Sequence, residues 1–142
     1  PELWDFFTAL PTTVVVDHMG RPNVNQPIDG PEFALFLKFM REHANVWSKV
    51  SCPERLSVTG PKALNGEQAA YQDVVPFARR VVQEFPDRVL WGTDWPHPNL
   101  KDHMPDDGLL VDFIPQIAPT AELQKKLLVD NPMRLYWPEE IK

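Results

Sequence analysis

An α/β fold built on a parallel sheet is what this sequence predicts, and three features of the chain predict it. Runs of β-branched residues alternate with segments of helical periodicity, and each run ends in a polar cluster punctuated by Gly or Pro. The 16 prolines fall between the periodic segments rather than in one tract. Strands separated by helices in this way are joined by right-handed crossovers and lie parallel.

The elements follow in order. Residues Glu2 to Leu10 read as the end of a helix. Thr12-Thr13-Val14-Val15-Val16-Asp17-His18-Met19-Gly20 reads as the first strand and its terminal cluster. Pro31 to His43 reads as a helix, because Phe33, Phe36, Leu37 and Met40 recur at i, i+3, i+4 and i+7, and Pro31 suits a first turn where its missing N–H is not needed. Asn45 to Pro53 is the second strand. Asp73 to Phe85 is the next helix, with Val74, Phe77, Val81 and Phe85 on one face and Pro76 in its first turn. Arg88-Val89-Leu90-Trp91-Gly92-Thr93-Asp94-Trp95-Pro96 is the third strand, and Thr120 to Val129 a third helix, capped by Thr120, with Leu123, Leu127 and Leu128 on one face.

Three parallel strands alone leave two open edges and uncovered faces, whereas parallel sheets are normally covered on both sides. A (β/α)8 barrel has about 250 residues. The chain is therefore expected to be the C-terminal part, about three βα units, of a distorted (β/α)8 TIM barrel, with residues 1–142 forming a single partial domain. The alternative is an independent small α/β domain.

Composition narrows the function. With 43% hydrophobic and 24% charged residues the chain is globular rather than disordered. A net charge of -6 gives no support to nucleic-acid binding, which calls for a basic face. No apolar run approaches the roughly 20 residues of a membrane span, and the N-terminus does not resemble a signal peptide. The single cysteine, Cys52, cannot form an internal disulfide. A cytoplasmic location is the expectation.

In parallel α/β folds the side chains at the C-terminal ends of the strands converge on one mouth. Here those ends carry His18, then Arg55 just beyond Cys52-Pro53, then Asp94. Each has a structural reading: a strand-end cap, a surface pair with Glu54, a turn acceptor. Three chemistry-bearing residues at matching positions tilt the balance to function. Asp94 emerges from an apolar strand into the rigid loop Trp95-Pro96-His97-Pro98-Asn99, a setting suited to a general base holding water. It could equally join His18 around a divalent metal. His18 is a metal ligand or a donor to a carbonyl oxygen, and Arg55 the natural partner of a substrate carboxylate. Arg21 is a weaker second cation. Cys52 reads as a buried filler, whereas His97, close to Asp94 in sequence, stays open as a site residue, its two flanking prolines suggesting loop shaping at least as strongly.

Four segments carry a resemblance: Val16-Asp17-His18-Met19-Gly20-Arg21, Lys49-Val50-Ser51-Cys52-Pro53-Glu54-Arg55-Leu56-Ser57, Trp91-Gly92-Thr93-Asp94-Trp95-Pro96-His97-Pro98-Asn99 and Leu128-Val129-Asp130-Asn131-Pro132-Met133-Arg134-Leu135-Tyr136. Together they resemble the C-terminal half of amidohydrolase-superfamily proteins, and within them the pyrone-dicarboxylate lactonases. The resemblance implies a hydrolase opening a carboxylated lactone in the catabolism of lignin-derived aromatics. It implies that Asp94 deprotonates the attacking water, that His18 lies beside the scissile carbonyl, that Arg55 holds a substrate carboxylate, and that Asn99 contacts substrate. It implies no metal and no other cofactor, although many superfamily members place metal ions at this mouth. The partner is a small anionic lactone, with neither nucleic acid nor membrane.

The superfamily's first-strand His-x-His pair does not occur in this sequence, and the stretch from Val58 to Tyr71, including Asn65-Gly66, looks long for the family. The chain is thus expected to be a fragment, completed by the missing N-terminal half of the barrel or by a homo-oligomer. Two other readings stay open: a metal-dependent decarboxylase or hydratase of the same superfamily, with Asp94 and His18 as ligands, and a non-catalytic half-barrel binding module.

Overall fold

A computed structural model describes residues 2–61, 70–101 and 103–141. Asn65-Gly66 lies outside the described residues. Three strands, β1 (Val14–Val16), β2 (Val46–Lys49) and β3 (Val89–Leu90), form a parallel sheet in the order β1-β2-β3. Val14 is opposite Val46, and Ser48 opposite Val89. The parallel direction is the one read from the sequence.

The strands are shorter than their β-branched runs. Each ladder ends two to four residues before a backbone turn into the left-handed region, at His18, Cys52 and Asp94. A residue with positive φ cannot continue a pleated ladder, so the polar ends of the runs become turns.

Helix α1 (Trp4–Thr8) precedes β1, and α2 (Pro31–Glu42) follows it, burying Phe33, Leu37 and Met40. A single turn, α3 (Pro53–Leu56), leaves β2, and α4 (Val75–Glu84) then buries Val75, Phe77, Ala78, Val81 and Val82. Phe33 meets Phe77 edge-on at 5.0 Å between ring centroids, joining the two long helices over the sheet. Their apolar faces close the core against Val46, Val50 and Val89.

Two short helices, α5 (Asp107–Asp112) and α6 (Ile114–Ile117), lie between β3 and the C-terminal segment and were not anticipated. Their signal is present in the sequence. Asp106 caps α5 by accepting from the Gly108 N–H at 2.7 Å, and Leu110, Phe113, Ile114 and Ile117 recur at helical spacing and are buried. Pro115 splits the run and hides its length.

The third expected helix is a composite. Thr120 caps α7 (Ala121–Lys125) as predicted, its Oγ1 accepting from the Leu123 N–H at 3.2 Å. The chain then widens into a π-helical turn, Lys126–Asp130, before α8 (Asn131–Tyr136). Pro132 explains the widening, since it has no N–H for the carbonyl four residues back. Asn131 is fully buried and donates from Nδ2 to the carbonyls of Pro86 and Val89, both at 2.8 Å, pinning α8 to β3.

Arg88 ties the lower ends of the elements together. Its guanidinium donates to the carbonyls of Met40 at 2.8 Å, His43 at 3.0 Å and Val46 at 2.7 Å. These are carbonyls around the C-terminus of α2 and the start of β2, which have no helical partner. Among the described residues, β1 and β3 each have one strand neighbour. An apolar groove of about 470 Å³, lined in part by Trp4, Phe7, Val15, Phe36 and Phe39, lies beside β1. No helix of the described residues is long and apolar enough to cross a membrane.

Candidate active site

The strand ends converge through strained backbone. His18, Cys52 and Asp94 have φ of 53°, 64° and 64°. For residues with a Cβ this conformation costs on the order of 1–2 kcal/mol each. After β1 the strain extends over a whole turn, because His18, Met19, Gly20 and Arg21 all have positive φ, and the Arg21 N–H closes the turn on the His18 carbonyl at 2.8 Å. Met19 plugs this turn into the core, which turns the His18 ring toward β2 and β3. Strain repeated at the ends of adjacent strands, where it joins three polar side chains, makes these ends the candidate functional site.

Three residues singled out from the sequence meet there. Arg55 Nη2 lies 2.9 Å from His18 Nε2 and 3.2 Å from Asp94 Oδ2, and His18 Nε2 lies 3.7 Å from Asp94 Oδ1. Arg55 reaches these partners because α3 starts one residue after Cys52 and places it at the end of a single turn. The three side chains are largely but not wholly buried, at 13% exposure for His18, 17% for Arg55 and 19% for Asp94. The cluster thus stays reachable from solvent.

Two further residues complete the cluster: Ser51, which the sequence did not single out, and Cys52, which read as a filler. Ser51 Oγ lies 2.8 Å from His18 Nδ1. Cys52 Sγ accepts from Arg55 Nε at 2.7 Å and donates to Asp94 Oδ2 at 3.4 Å. The sequence signal for Ser51 is a hydroxyl at the C-terminal end of an otherwise apolar strand run. Cys52 carried no separate signal, since a buried filler and a bridging thiol look alike in sequence.

The hydrogen-bond pattern fixes the imidazole. A guanidinium only donates, so His18 Nε2 accepts from Arg55, and the ring proton sits on Nδ1, directed at Ser51 Oγ. Burial is the main influence holding the His18 pKa below 6.5; Asp94 opposes it and Arg55 reinforces it. Burial likewise pushes the Cys52 thiol up to about 12, so it is a protonated bridge and no nucleophile.

The neutral His18 predicts a pH effect on stability. The unfolded imidazole takes a proton near its ordinary 6.5, the folded one only lower. The stabilisation is complete above that value and is lost as pH falls through the lowered folded pKa. The urea midpoint should therefore decline on acidification below about pH 6.5, and His18→Asn, which tolerates the left-handed backbone, should flatten that part of the profile. An unchanged profile in the variant would contradict the assignment.

Asn99 and His97 stand apart from the cluster. Asn99 has φ of 71°, is exposed, and makes no side-chain hydrogen bond to the described residues; its neighbour Pro98 accepts from Arg55 Nη1 at 3.3 Å through its carbonyl. His97 is buried and faces away from Asp94, with Nδ1 3.3 Å from Glu54 Oε1 and Nε2 3.1 Å from Asp107 Oδ1. It anchors the loop between α3 and α5, which agrees with a loop-shaping role. Glu54 therefore serves His97 and not its neighbour Arg55. Arg21 is exposed, outside the cluster.

The metal reading can be tested on the same atoms. His18, Cys52 and Asp94 offer ligand atoms within 4.8 Å of one another. The Arg55 guanidinium, however, hydrogen-bonds His18 and Cys52 and pairs with Asp94, so a permanently charged cation already faces all three. The thiol is moreover held protonated, whereas metal ligation needs the thiolate. This donor set, as arranged, does not fit a divalent ion.

Comparison with known proteins supplies the context. Residues 1–137 match the sequence profile of the family described as Amidohydrolase. The chain is 90% identical over 141 residues to the 2-pyrone-4,6-dicarboxylate hydrolase of Comamonas testosteroni, covering 99% of this chain and 46% of the relative. It is 40% identical over 130 residues to the 4-sulfomuconolactone hydrolase of Hydrogenophaga intermedia, covering 90% of this chain and 39% of the relative. The apo crystal structure of an Agrobacterium tumefaciens protein superposes with a TM-score of 0.74 at 29% identity, covering 95% of this chain and 45% of that one. The chain spans under half the length of these relatives.

Proposed function

This chain belongs to the amidohydrolase family, and from that premise we propose that it supplies the C-terminal part of the active site of a hydrolase opening a carboxylated lactone of the 2-pyrone-4,6-dicarboxylate kind, in the breakdown of lignin-derived aromatics. The observation that carries the reading is the cluster at the strand ends: a carboxylate and an imidazole 3.7 Å apart, both within 3.2 Å of one guanidinium. Its anionic-substrate chemistry agrees with the substrates named for the two hydrolases above.

In this reading Asp94 takes a proton from a water whose oxygen bonds to the lactone carbonyl carbon. The ring C–O bond then breaks, the ring oxygen leaves with the proton returned from Asp94, and the products are a carboxylic acid and a hydroxyl group. Arg55 holds a substrate carboxylate. His18 flanks the carbonyl oxygen: with Arg55 on the substrate, the neutral ring carries its one proton on Nε2 and donates to the oxyanion, while Nδ1 accepts from the Ser51 hydroxyl. Ser51 keeps the ring oriented from Nδ1. Asn99, exposed at the rim, contacts the substrate from the loop that carries the base.

The sheet belongs, in the same proposal, to a distorted (β/α)8 barrel, of which residues 1–142 are a single partial domain. Support comes from the sequential parallel order, the sides of β1 and β3 that no strand among the described residues pairs, and the apolar groove beside β1. The remaining walls of the pocket then come from the other half of the barrel or from a second copy.

Turnover of 2-pyrone-4,6-dicarboxylate by the full-length protein, followed as loss of the pyrone chromophore, tests the function. A kcat/KM of about 10⁴ M⁻¹s⁻¹ or more is expected. Saturable binding without turnover would replace the proposal with a binding module. Turnover appearing only on addition of zinc or manganese would replace it with a metal-dependent enzyme.

A further inference from the structure

Each nitrogen of the Arg55 guanidinium already has a partner. Nε donates to Cys52 Sγ at 2.7 Å, Nη1 to the Pro98 carbonyl at 3.3 Å and Nη2 to His18 Nε2 at 2.9 Å, while Nη2 also lies 3.2 Å from Asp94 Oδ2. A bidentate grip on a carboxylate uses two parallel N–H groups along one edge, and here each nitrogen already has a partner: Nε and Nη2 face the site and Nη1 meets the exposed Pro98 carbonyl. The groups it engages are the ones a hydrolysis needs free. His18 Nε2 has its one lone pair engaged, and Asp94 Oδ2 faces both the guanidinium and the Cys52 thiol.

From this geometry we infer that Arg55 is a latch operated by the carboxylate of the incoming substrate: the anion draws the guanidinium off His18 and Asp94 and thereby frees the imidazole and the base together. The inference rests on the lactonase reading above and deepens it. An acidic lactone is then selected at the rate of reaction as well as in binding. A neutral lactone, even when bound, meets an imidazole and a carboxylate still held by Arg55.

The latch differs from a simple anchor in what a missing carboxylate does. An anchor that acts equally on the bound ground state and the transition state changes KM alone. A latch lowers kcat for a lactone without a carboxylate, and a separate small carboxylate restores it. The test uses the full-length protein with unsubstituted 2-pyrone, titrated with sodium acetate against sodium chloride of equal ionic strength, while long-range nitrogen–proton NMR follows the His18 ring. We expect a kcat for 2-pyrone about tenfold or more below that for the dicarboxylate, a saturable rise with acetate, and movement of the Nε2 resonance in the same titration. Arg55→Gln should lose the acetate response.

Equal kcat for the two pyrones with a difference in KM only, or a rate and resonance indifferent to acetate, would overturn the latch while leaving the lactonase reading in place. If no lactone is hydrolysed, the lactonase reading fails and the His18 resonance alone decides. Movement with acetate then supports the latch, and no movement overturns it.

Discussion

Asp94→Asn in the full-length protein is expected to lower kcat for the pyrone dicarboxylate by roughly 10²–10⁴-fold, with KM changed by less than about threefold. Asparagine is nearly isosteric and is among the few residues that adopt the left-handed backbone readily, so the φ of 64° at this position is kept. Its carbonyl oxygen can still accept from Arg55 Nη2 and from the Cys52 thiol, which preserves the frame of the site. What is lost is the ability to take a proton from water. A kcat within tenfold of the unmodified protein would move the base elsewhere, and a raised KM with intact kcat would make Asp94 a binding residue. An unchanged urea midpoint separates either result from misfolding.

Arg88→Met is expected to cost about 3 kcal/mol of stability, because hydrogen bonds from a charged donor are worth roughly 1.5–3 kcal/mol and a buried carbonyl left unpaired costs more than its bond. Arg88 serves the carbonyls of Met40, His43 and Val46 at once, and methionine fills much of the same space without donating. The guanidinium is partly desolvated there, which lowers its pKa and reduces the net gain. The prediction appears as a lower urea midpoint with an unchanged m-value. A loss below about 0.5 kcal/mol would mean that water satisfies the three carbonyls, and that packing alone joins α2 to β2 and β3.

Much of this architecture was legible in the sequence because it depends on local pattern. The Val14–Val16, Val46–Lys49 and Val89–Leu90 strands lie inside the three β-branched runs, and the buried faces of α2 and α4 are the periodic residues, with Phe36 and Phe85 at their margins. The meeting of His18, Arg55 and Asp94 followed from one topological argument, that parallel strands bring their C-terminal ends together. Strand length was not legible, because β propensity does not register a backbone that turns left-handed at His18, Cys52 and Asp94. Helices α5 and α6 escaped because Pro115 divides their apolar pattern, and the π-helical turn because it depends on a missing N–H at Pro132. Cys52 is the most informative gap. Its role lies in two distances, to Arg55 and Asp94, that only the folded chain defines. Likewise, the sequence assigned Arg55 to a substrate carboxylate but could not reveal that its donors are engaged within the site.

The most direct test of the central claim, addition of an Asp94-activated water to a lactone carbonyl, is a single turnover of 2-pyrone-4,6-dicarboxylate by the full-length protein in water enriched in oxygen-18. The account predicts one labelled oxygen in the newly formed carboxylate for each ring opened, with Asp94→Asn incorporating label only at its much lower rate. A product whose new carboxylate carries no label would contradict it, since an isomerisation of the ring ester takes no oxygen from water. Rapid labelling by Asp94→Asn would leave the hydrolysis and remove its proposed base.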